Sequence, residues 1–410
     1  MAEKRRVMAA ALEPSQDLTD LRSFVQAVLI PRAAQNDRDA RFDHDTTRQL
    51  WERGLLNVLV PKEFGGTECS VSDLVWIARE LGYGSAGVAA TFIGNLLGFS
   101  AMILYANSPL REKLSRQNLN GFQLWSFAMT EKGCGSDLEK TATTARRVPG
   151  GYEITGEKNF ITNATHATQL SVFAAVVNEN GEPEGITCFY IPGDSPGLRR
   201  GDAVDKMGWR ESNTGHLHFD RVFVPEYHRL GDLGAGLKVL THCLNRSKTL
   251  LGAVSVGVST RALDMVVERL LQTNRYGRAL TDQSAIRHLL ARLHTEVEAA
   301  WLLALRAAAV WDSGDFAVKE ASMAKLFGGN TASKVTSQAV ELFGARGFIN
   351  EYEVSRLMRD AKAIEIVEGP SLVQELLIAK KVIPEKKASK KIYQLDEADA
   401  RRIDVKKKVA

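Results

Sequence analysis

The chain is predicted to be an α+β protein: an N-terminal helical domain over residues 1–123, a central β-sheet or barrel-like domain over 124–234 and a C-terminal four-helix bundle over 235–383. A basic tail over 384–410 follows. Three observations carry this prediction. Apolar residues recur at three- and four-residue spacing near the start, in Leu18, Leu21, Phe24, Val25, Val28 and Leu29. From about Leu124 the pattern changes to short β-type runs, and helical periodicity returns near Leu237 and persists to about Val382. Helices, then strands, then helices is the segregated order of an α+β chain rather than the alternation of a parallel α/β sheet.

Each element has a local cause. Leu74, Ile77, Ala78 and Leu81 continue the helical spacing of the first domain, and Pro61 with Gly65-Gly66 divides it into separate helices. The β runs are Tyr152 to Thr155, Ser171 to Val177, Ile186 to Ile191 and Leu217 to Val224, punctuated by Gly150-Gly151, Asn180-Gly181 and Pro196-Gly197. In the last domain Ile286, Leu289, Leu290, Leu293, Val297, Trp301 and Ala304 form one apolar stripe, and long striped helices with short connections argue a bundle. Gly231, Gly234 and Gly236 have the wrong order of spacing for a dinucleotide fingerprint and read as a loop entering that bundle.

Composition excludes several classes of function. The chain has 410 residues, 44% hydrophobic and 25% charged, which is ordinary for a globular protein with a large core. Its net charge of +4 falls entirely in residues 384–410, where nine Lys or Arg face five acids, so the body has no bulk attraction to nucleic acid. The tail reads as a solvated arm or a short helix. Cys69, Cys134, Cys188 and Cys243 are far apart and lack metal-ligand spacing, which suits reduced thiols in a cytoplasmic protein. His216 and His218 share a strand face without a third ligand nearby, so no metal site is expected. The apolar run after Met1 to Arg6 is too short for a secretory signal, and no later stretch is expected to span a membrane.

Glu368 is the leading candidate for chemistry. It follows Ile364, Ile366 and Val367 and precedes Gly369-Pro370-Ser371, so helix-breaking residues place a lone carboxylate at an element junction. Two readings stand at this level: a desolvated general base, or a cap for the helix that follows. A second segment, Phe127 to Asp137, leaves a strand and enters a glycine-rich turn, where backbone N–H groups and the hydroxyls of Thr130 and Ser136 approach a polar ligand. In Gly156 to Asn163, period-2 alternation sends Phe160 and Thr162 to one face, an arrangement that suits a flat heteroaromatic ring and equally an ordinary hairpin with a core phenylalanine.

These segments, together with Pro61 to Gly66, Asp220 to Pro225 and Arg359-Asp360-Ala361-Lys362, resemble the acyl-CoA dehydrogenase family over residues 15–383, in family order and spacing. The resemblance implies FAD as cofactor, an acyl thioester on CoA or a carrier protein as substrate, an electron-transfer flavoprotein as acceptor and a homotetramer. It implies that Glu368 removes the α-proton while flavin N5 accepts the β-hydride. Cofactor contacts are implied for Phe127, Met129, Thr130, Gly135, Ser136, Phe160, Ile161 and Thr162. Across a subunit interface they are implied for Arg275, Tyr276, Gln283, Glu341 and Ala345, and beside the base they are implied for Pro370 and Leu372. Substrate contacts are implied for Ser136, Asn245, Lys248, Val367 and Gly369. Relatives that carry the base early in the bundle match Ser247, which cannot serve, so Glu368 has no rival.

The chain departs from the family pattern mainly in the cross-subunit half of the cofactor site. An arginine that reaches the pyrophosphate falls on Thr273, a glutamine falls on Ser284, Glu341 replaces another glutamine, Ala345 replaces a glycine, and Pro370 and Leu372 replace a threonine and a glutamine. These departures motivate an alternative, a non-catalytic or half-catalytic subunit of a hetero-oligomer. A flavin oxidase on the same fold is a third reading.

Overall fold

The computed structural model describes residues 13–389 apart from 16, 17, 273 and 276. Arg275 is described in its backbone alone, and Thr273, Tyr276 and the tail beyond Ser389 lie outside the described residues. The order of helices, strands and helices agrees with the predicted α+β class. The first domain opens with α1 (Thr19–Phe24), which passes through a π-helical turn, Val25–Leu29, into α2 (Ile30–Asp39). Helices α3 (His44–Glu52), α4 (Val71–Gly84), α5 (Ala86–Tyr105) and α6 (Ser108–Asn120) each begin at a side-chain cap, from Asp43, Ser70, Ser85 and Asn107 respectively. Asp312, from the bundle, also accepts from Val71 N and Ser72 N at 2.8 and 2.9 Å, so the start of α4 is tied to the C-terminal domain.

Strands β1 (Trp125–Ala128), β2 (Thr144–Val148), β3 (Gly151–Thr162), β4 (Gln169–Val177), β5 (Pro183–Pro192), β6 (Leu198–Ala203), β7 (Thr214–Pro225) and β8 (Arg229–Leu230) form one sheet in the order β6-β7-β3-β2-β4-β5-β8. Strand β1 does not lie on this path. It runs parallel to β4 over Gln169 to Val172, and β2 runs parallel to β4 over Ala175 to Val177. Both strands therefore share one edge of β4 end to end, and residues 129–143 between them leave the sheet as an excursion. A separate core that includes Tyr152, Ile161, Val172, Phe189 and Leu217 supports this domain.

The C-terminal domain contains α7 (Gly236–Gln272), α8 (Ser284–Asp312), α9 (Val318–Phe343), α10 (Glu353–Ile366) and α11 (Ser371–Ser389), with two-residue strands β9 (Asn274–Arg275) and β10 (Arg278–Ala279) between α7 and α8. Glycines allow the long helices to touch. A Cβ on Gly257 of α7 would lie 2.1 Å from the Arg79 carbonyl of α4, and one on Gly252 would lie 3.1 Å from Cβ of Ala324 on α9. Leu293, Val297, Trp301 and Ala304 of the predicted stripe are buried. Ile366, expected in the apolar run before Glu368, is instead 60% exposed, because it faces outward on the last turn of α10.

Contrary to the sequence expectation, two helices, α5 and α7, are long and apolar enough to cross a membrane. They pass that test because they are core helices: 89% and 72% of the apolar window is buried inside the protein. Helix α5 meets the sheet through a face of small residues. A Cβ on Gly98 would fall 2.6 Å from the Ser126 carbonyl, and one on Gly94 would fall 2.6 Å from Cγ2 of Thr162.

All three domains meet at one buried cluster of charges. Asp360 of α10 accepts from Trp209 N at 2.6 Å and from Arg356 at 3.0 Å, Arg356 also bonds Glu353 at 2.6 Å, and Arg359 bonds Asp37 of α2 at 2.9 Å. Glu211, in the turn before β7, accepts from Ser85 Oγ at the start of α5. The Arg359-Asp360 pair singled out in the sequence is thus a joint between domains.

Candidate active site

Glu368 stands in the short connection between α10 and α11 with a left-handed backbone, φ +56°, and Gly369 follows at φ +95°. Two successive left-handed residues reverse the chain and turn the glutamate side chain inward. There Oε1 accepts a hydrogen bond from Ser247 Oγ of α7, while Oε2 is buried with no partner. The residue as a whole is half-buried, yet Oε2 of its carboxyl is fully buried. The capping alternative therefore does not describe the side chain, which points to α7 rather than to the N-terminus of α11.

The electrostatics around this carboxyl are unusual. Burial pushes the Glu368 pKa up to about 7, against the opposing pull of the Ser247 hydrogen bond and the charges of Lys248 and Lys325. Lys248 is 4% exposed and Lys325 is 1% exposed. Burial lowers both ammonium pKa values, that of Lys325 to about 8, and the charge of Glu368 opposes the shift in each. Asn245, one residue-pair before Ser247 on α7, is 1% exposed, and neither polar atom of its amide has a hydrogen-bond partner. Thus Ser247 and Lys248 from α7 and Lys325 from α9 surround the Glu368 connection.

The second cluster is built on the excursion 129–143. Glu131 accepts from Ala142 N at 2.7 Å and Thr143 N at 3.1 Å, which closes the stem of the excursion. Lys158 of β3, fully buried, donates to Glu131 at 2.7 Å and to the Met129 carbonyl at 2.9 Å. The Thr130 carbonyl accepts from Asn159 N at 2.8 Å, so the first glycine-rich segment is fastened to the second. Beyond this stem Gly135 and Ser136 are exposed, Thr130 is half-buried and Met129 is buried. Phe127 packs edge-on against Phe173 at 4.9 Å, and Ile161 is buried in the sheet core.

Phe160 lies in a bulge: the register of β3 against β7 shifts between Lys158 and Ile161, which interrupts the simple alternation used to place it. Its φ is +58° and its ring is 61% exposed, edge-on to His216 at 5.9 Å, whereas Thr162 lies against Gly94 of α5. FAD is the group that the sequence resemblance implies, and this edge fits it. It offers an exposed aromatic ring at Phe160, the hydroxyls of Thr130 and Ser136, and backbone open to approach at Gly133 and Gly135, where an added Cβ would meet nothing within 4 Å.

The remaining predicted cofactor contacts are on the outer surface. Gln283 immediately precedes α8, Glu341 lies near the end of α9, where Gln338 bonds it at 2.8 Å, Ala345 follows α9, and Pro370 and Leu372 lie at the start of α11. All five are exposed, Leu372 to 66%. Sequence reasoning missed the contribution of Ser247, treated only as a failed base, and it missed Lys325, Gln374, Glu131 and Lys158 altogether. A lysine inside an otherwise apolar helical stretch, Ala321 to Leu326, was the available signal for Lys325.

Among the described residues, no group of three or more His, Cys, Asp or Glu side chains is arranged to hold a metal ion. Three family models match the chain: the acyl-CoA dehydrogenase N-terminal domain at residues 16–121, the middle domain at 126–222 and the C-terminal domain at 234–383. A cyclohexane-1-carbonyl-CoA dehydrogenase from Geobacter metallireducens is 32% identical over 366 residues, 89% of this chain and 96% of that protein. The solved butyryl-CoA dehydrogenase from Megasphaera elsdenii superposes with a TM-score of 0.84 at 29% identity, covering 93% of this chain and 98% of the other. A prolyl acyl carrier protein oxidase, AnaB, superposes with a TM-score of 0.83 at 26% identity, covering 93% and 99%.

Proposed function

The chain belongs to the acyl-CoA dehydrogenase family of FAD-dependent oxidoreductases acting on CH–CH bonds, and we propose that it converts an acyl thioester to the 2,3-enoyl thioester with Glu368 as the α-proton base. The observation that carries this reading is the buried, unpartnered Oε2 of Glu368 beside an Oε1 held by Ser247. Ser247 fixes one oxygen, so Oε2 is the one free to take the proton. Desolvation raises the basicity of the carboxylate towards that required for a weakly acidic α-C–H, and the buried amide of Asn245 is available to a polar group of the substrate. When bound, FAD supplies the acceptor for the hydride that leaves Cβ. Phe160, Thr130, Thr162 and Ser136 would hold it, with Pro370 and Leu372 beside the base, and Gln283, Glu341 and Ala345, with Arg275 and Tyr276, would reach it from a neighbouring subunit.

A homotetramer belongs to the same proposal, as do the division at residues 123, 234 and 383, an electron-transfer flavoprotein as acceptor and a cytoplasmic location. The exposed Leu302 and Phe327, which line an apolar hollow between α8 and α9, and Phe348, 90% exposed, support assembly. The substrate carrier is CoA or an acyl carrier protein; the likeness to AnaB and the basic residues of 384–410 favour testing the latter. Deleting residues 385–410 would then weaken turnover of the carrier-bound substrate in a salt-sensitive way and spare short thioesters.

Purified protein should be yellow, and anaerobic addition of its thioester should bleach the visible flavin band. A Glu368→Gln variant should keep its colour and bind thioester while turnover falls by about 10²-fold or more. Undiminished turnover in that variant would remove Glu368 from the reaction. The half-catalytic reading, motivated by Thr273, Ser284, Glu341 and Pro370 together, instead requires colourless protein that gains FAD only with a partner chain.

A further inference from the structure

The connection that carries Glu368 has carbonyl oxygens that no regular structure satisfies. Helix α10 ends at Ile366, and its last carbonyls need donors from elsewhere. The carbonyl of Glu365 accepts from Lys325 Nζ at 2.8 Å, and that of Gly369 accepts from the same Nζ at 2.8 Å. Gln374 Nε2, from the first turns of α11, donates to the Gly369 carbonyl at 2.7 Å and to the Glu368 carbonyl at 3.1 Å. Lys325 therefore spans the turn from one side to the other, and Gln374 closes it from within.

Lys325 reaches this place because α9 lies tightly against both neighbours. A Cβ on Gly328 would sit 2.3 Å from Ser255 Oγ of α7, and one on Gly329 would sit 3.6 to 3.7 Å from Ile364 and Glu365 of α10. The lysine emerges one turn earlier on α9, beneath the end of α10. A cation there is also favoured by the negative end of the α10 dipole. Its two hydrogen bonds go to neutral carbonyls, so the charge of a lysine only 1% exposed is balanced by carboxylates nearby. The charges that act on it are Glu368 and Glu365 from the α10–α11 segment, with Lys248 of α7 opposing.

We propose that Lys325 is a positioning residue for the base: its ammonium clamps the left-handed turn that aims Glu368, and its charge stabilises the Glu368 carboxylate over the carboxylic acid. This rests on the reading of Glu368 as the α-proton base. The two roles are separable because a neutral amide keeps a donor and loses the charge. The groups facing Glu368 are Ser247 and Lys248 from α7 and Lys325 from α9, so removal of Lys325 leaves one cation, and the carboxyl becomes harder to ionise.

The test follows α-proton exchange by NMR, with the holoprotein in D2O and phenylacetyl-CoA, a thioester with an acidic α-C–H and no sp3 Cβ–H to lose. Exchange in the wild type that disappears in Glu368→Gln establishes the base; absence of exchange in the wild type overturns that reading before Lys325 is altered. With the base established, Lys325→Gln and Lys325→Met should retain flavin and helical content, and in both the acidic limb of the exchange rate should move to higher pH by about one unit, a ~10-fold loss below the limb. Lys325→Met should lose further amplitude on the plateau because the clamp is gone as well. An acidic limb unchanged in the variants that fold would overturn the proposal. Failure of both variants to fold would do the same, by assigning Lys325 to the fold alone.

Discussion

Ser247 donates to one oxygen of Glu368, and that single hydroxyl should be measurable as a shift in pH dependence. A hydrogen bond to an ionised acceptor contributes about 1.5–3 kcal/mol. On the proposed role Glu368 takes a proton and must be ionised to do so, so turnover should rise with pH through about 7. Ser247→Ala removes a donor that favours the ionised form, so the limb should move up by about one unit or more, read from kcat/KM against pH. A limb that moved down or stayed in place would show that the hydroxyl does not hold the reacting carboxylate. Glu368 was legible in the sequence because its helix-breaking neighbours mark a junction. Ser247 was legible only as a residue unable to act as a base, and Lys325 only as a lysine in a mostly apolar stretch; its role was not legible, because its partners are carbonyl oxygens forty or more residues away that no local pattern encodes.

At the scale of elements, the bundle depends on glycines where helices cross. Gly257 of α7 touches the backbone of α4 so closely that a Cβ would lie 2.1 Å from a carbonyl oxygen. Gly257→Ala must separate two helices along their contact, and overpacking of this kind costs about 1–3 kcal/mol. Thermal unfolding of the variant should occur at a lower temperature, and an unchanged midpoint would mean that α4 and α7 have room to part. Strand positions were read well from alternation, since Tyr152 to Thr155, Ser171 to Val177 and Leu217 to Val224 all lie within strands. The bulge at Phe160 was not legible. It arises where β3 carries two residues against one on β7, a mismatch between strands that neither sequence segment contains alone.

For the whole molecule, the buried charges at the domain junction make stability depend on pH. Burial raises the pKa of Glu211 from 4.5 to about 7, with Arg356 and the Ser85 hydrogen bond opposing. The folded value exceeds the unfolded one, so the stability linked to this proton is fully present below pH 4.5 and is lost as pH rises through about 7. Glu211→Gln keeps an acceptor for Ser85 and carries no charge to bury. It should unfold at a higher temperature than the wild type near pH 8, and the difference should shrink towards pH 5; a constant difference would mean that the Glu211 proton is not linked to folding. The three-part order was legible because helical and strand periods differ, whereas the junction was not: its charges come from α2, the turn before β7, and α10.

Helix α5 also bears on how the protein is made. It is synthesised before the sheet and α7 that cover it, so the nascent chain holds a 20-residue apolar segment with its later partners still untranslated. Such a segment invites aggregation until residues 124–272 arrive. A fragment ending at residue 123 should be insoluble when expressed alone and should be recovered in soluble form when the remainder of the chain is co-expressed, because the covering surface is then available in trans.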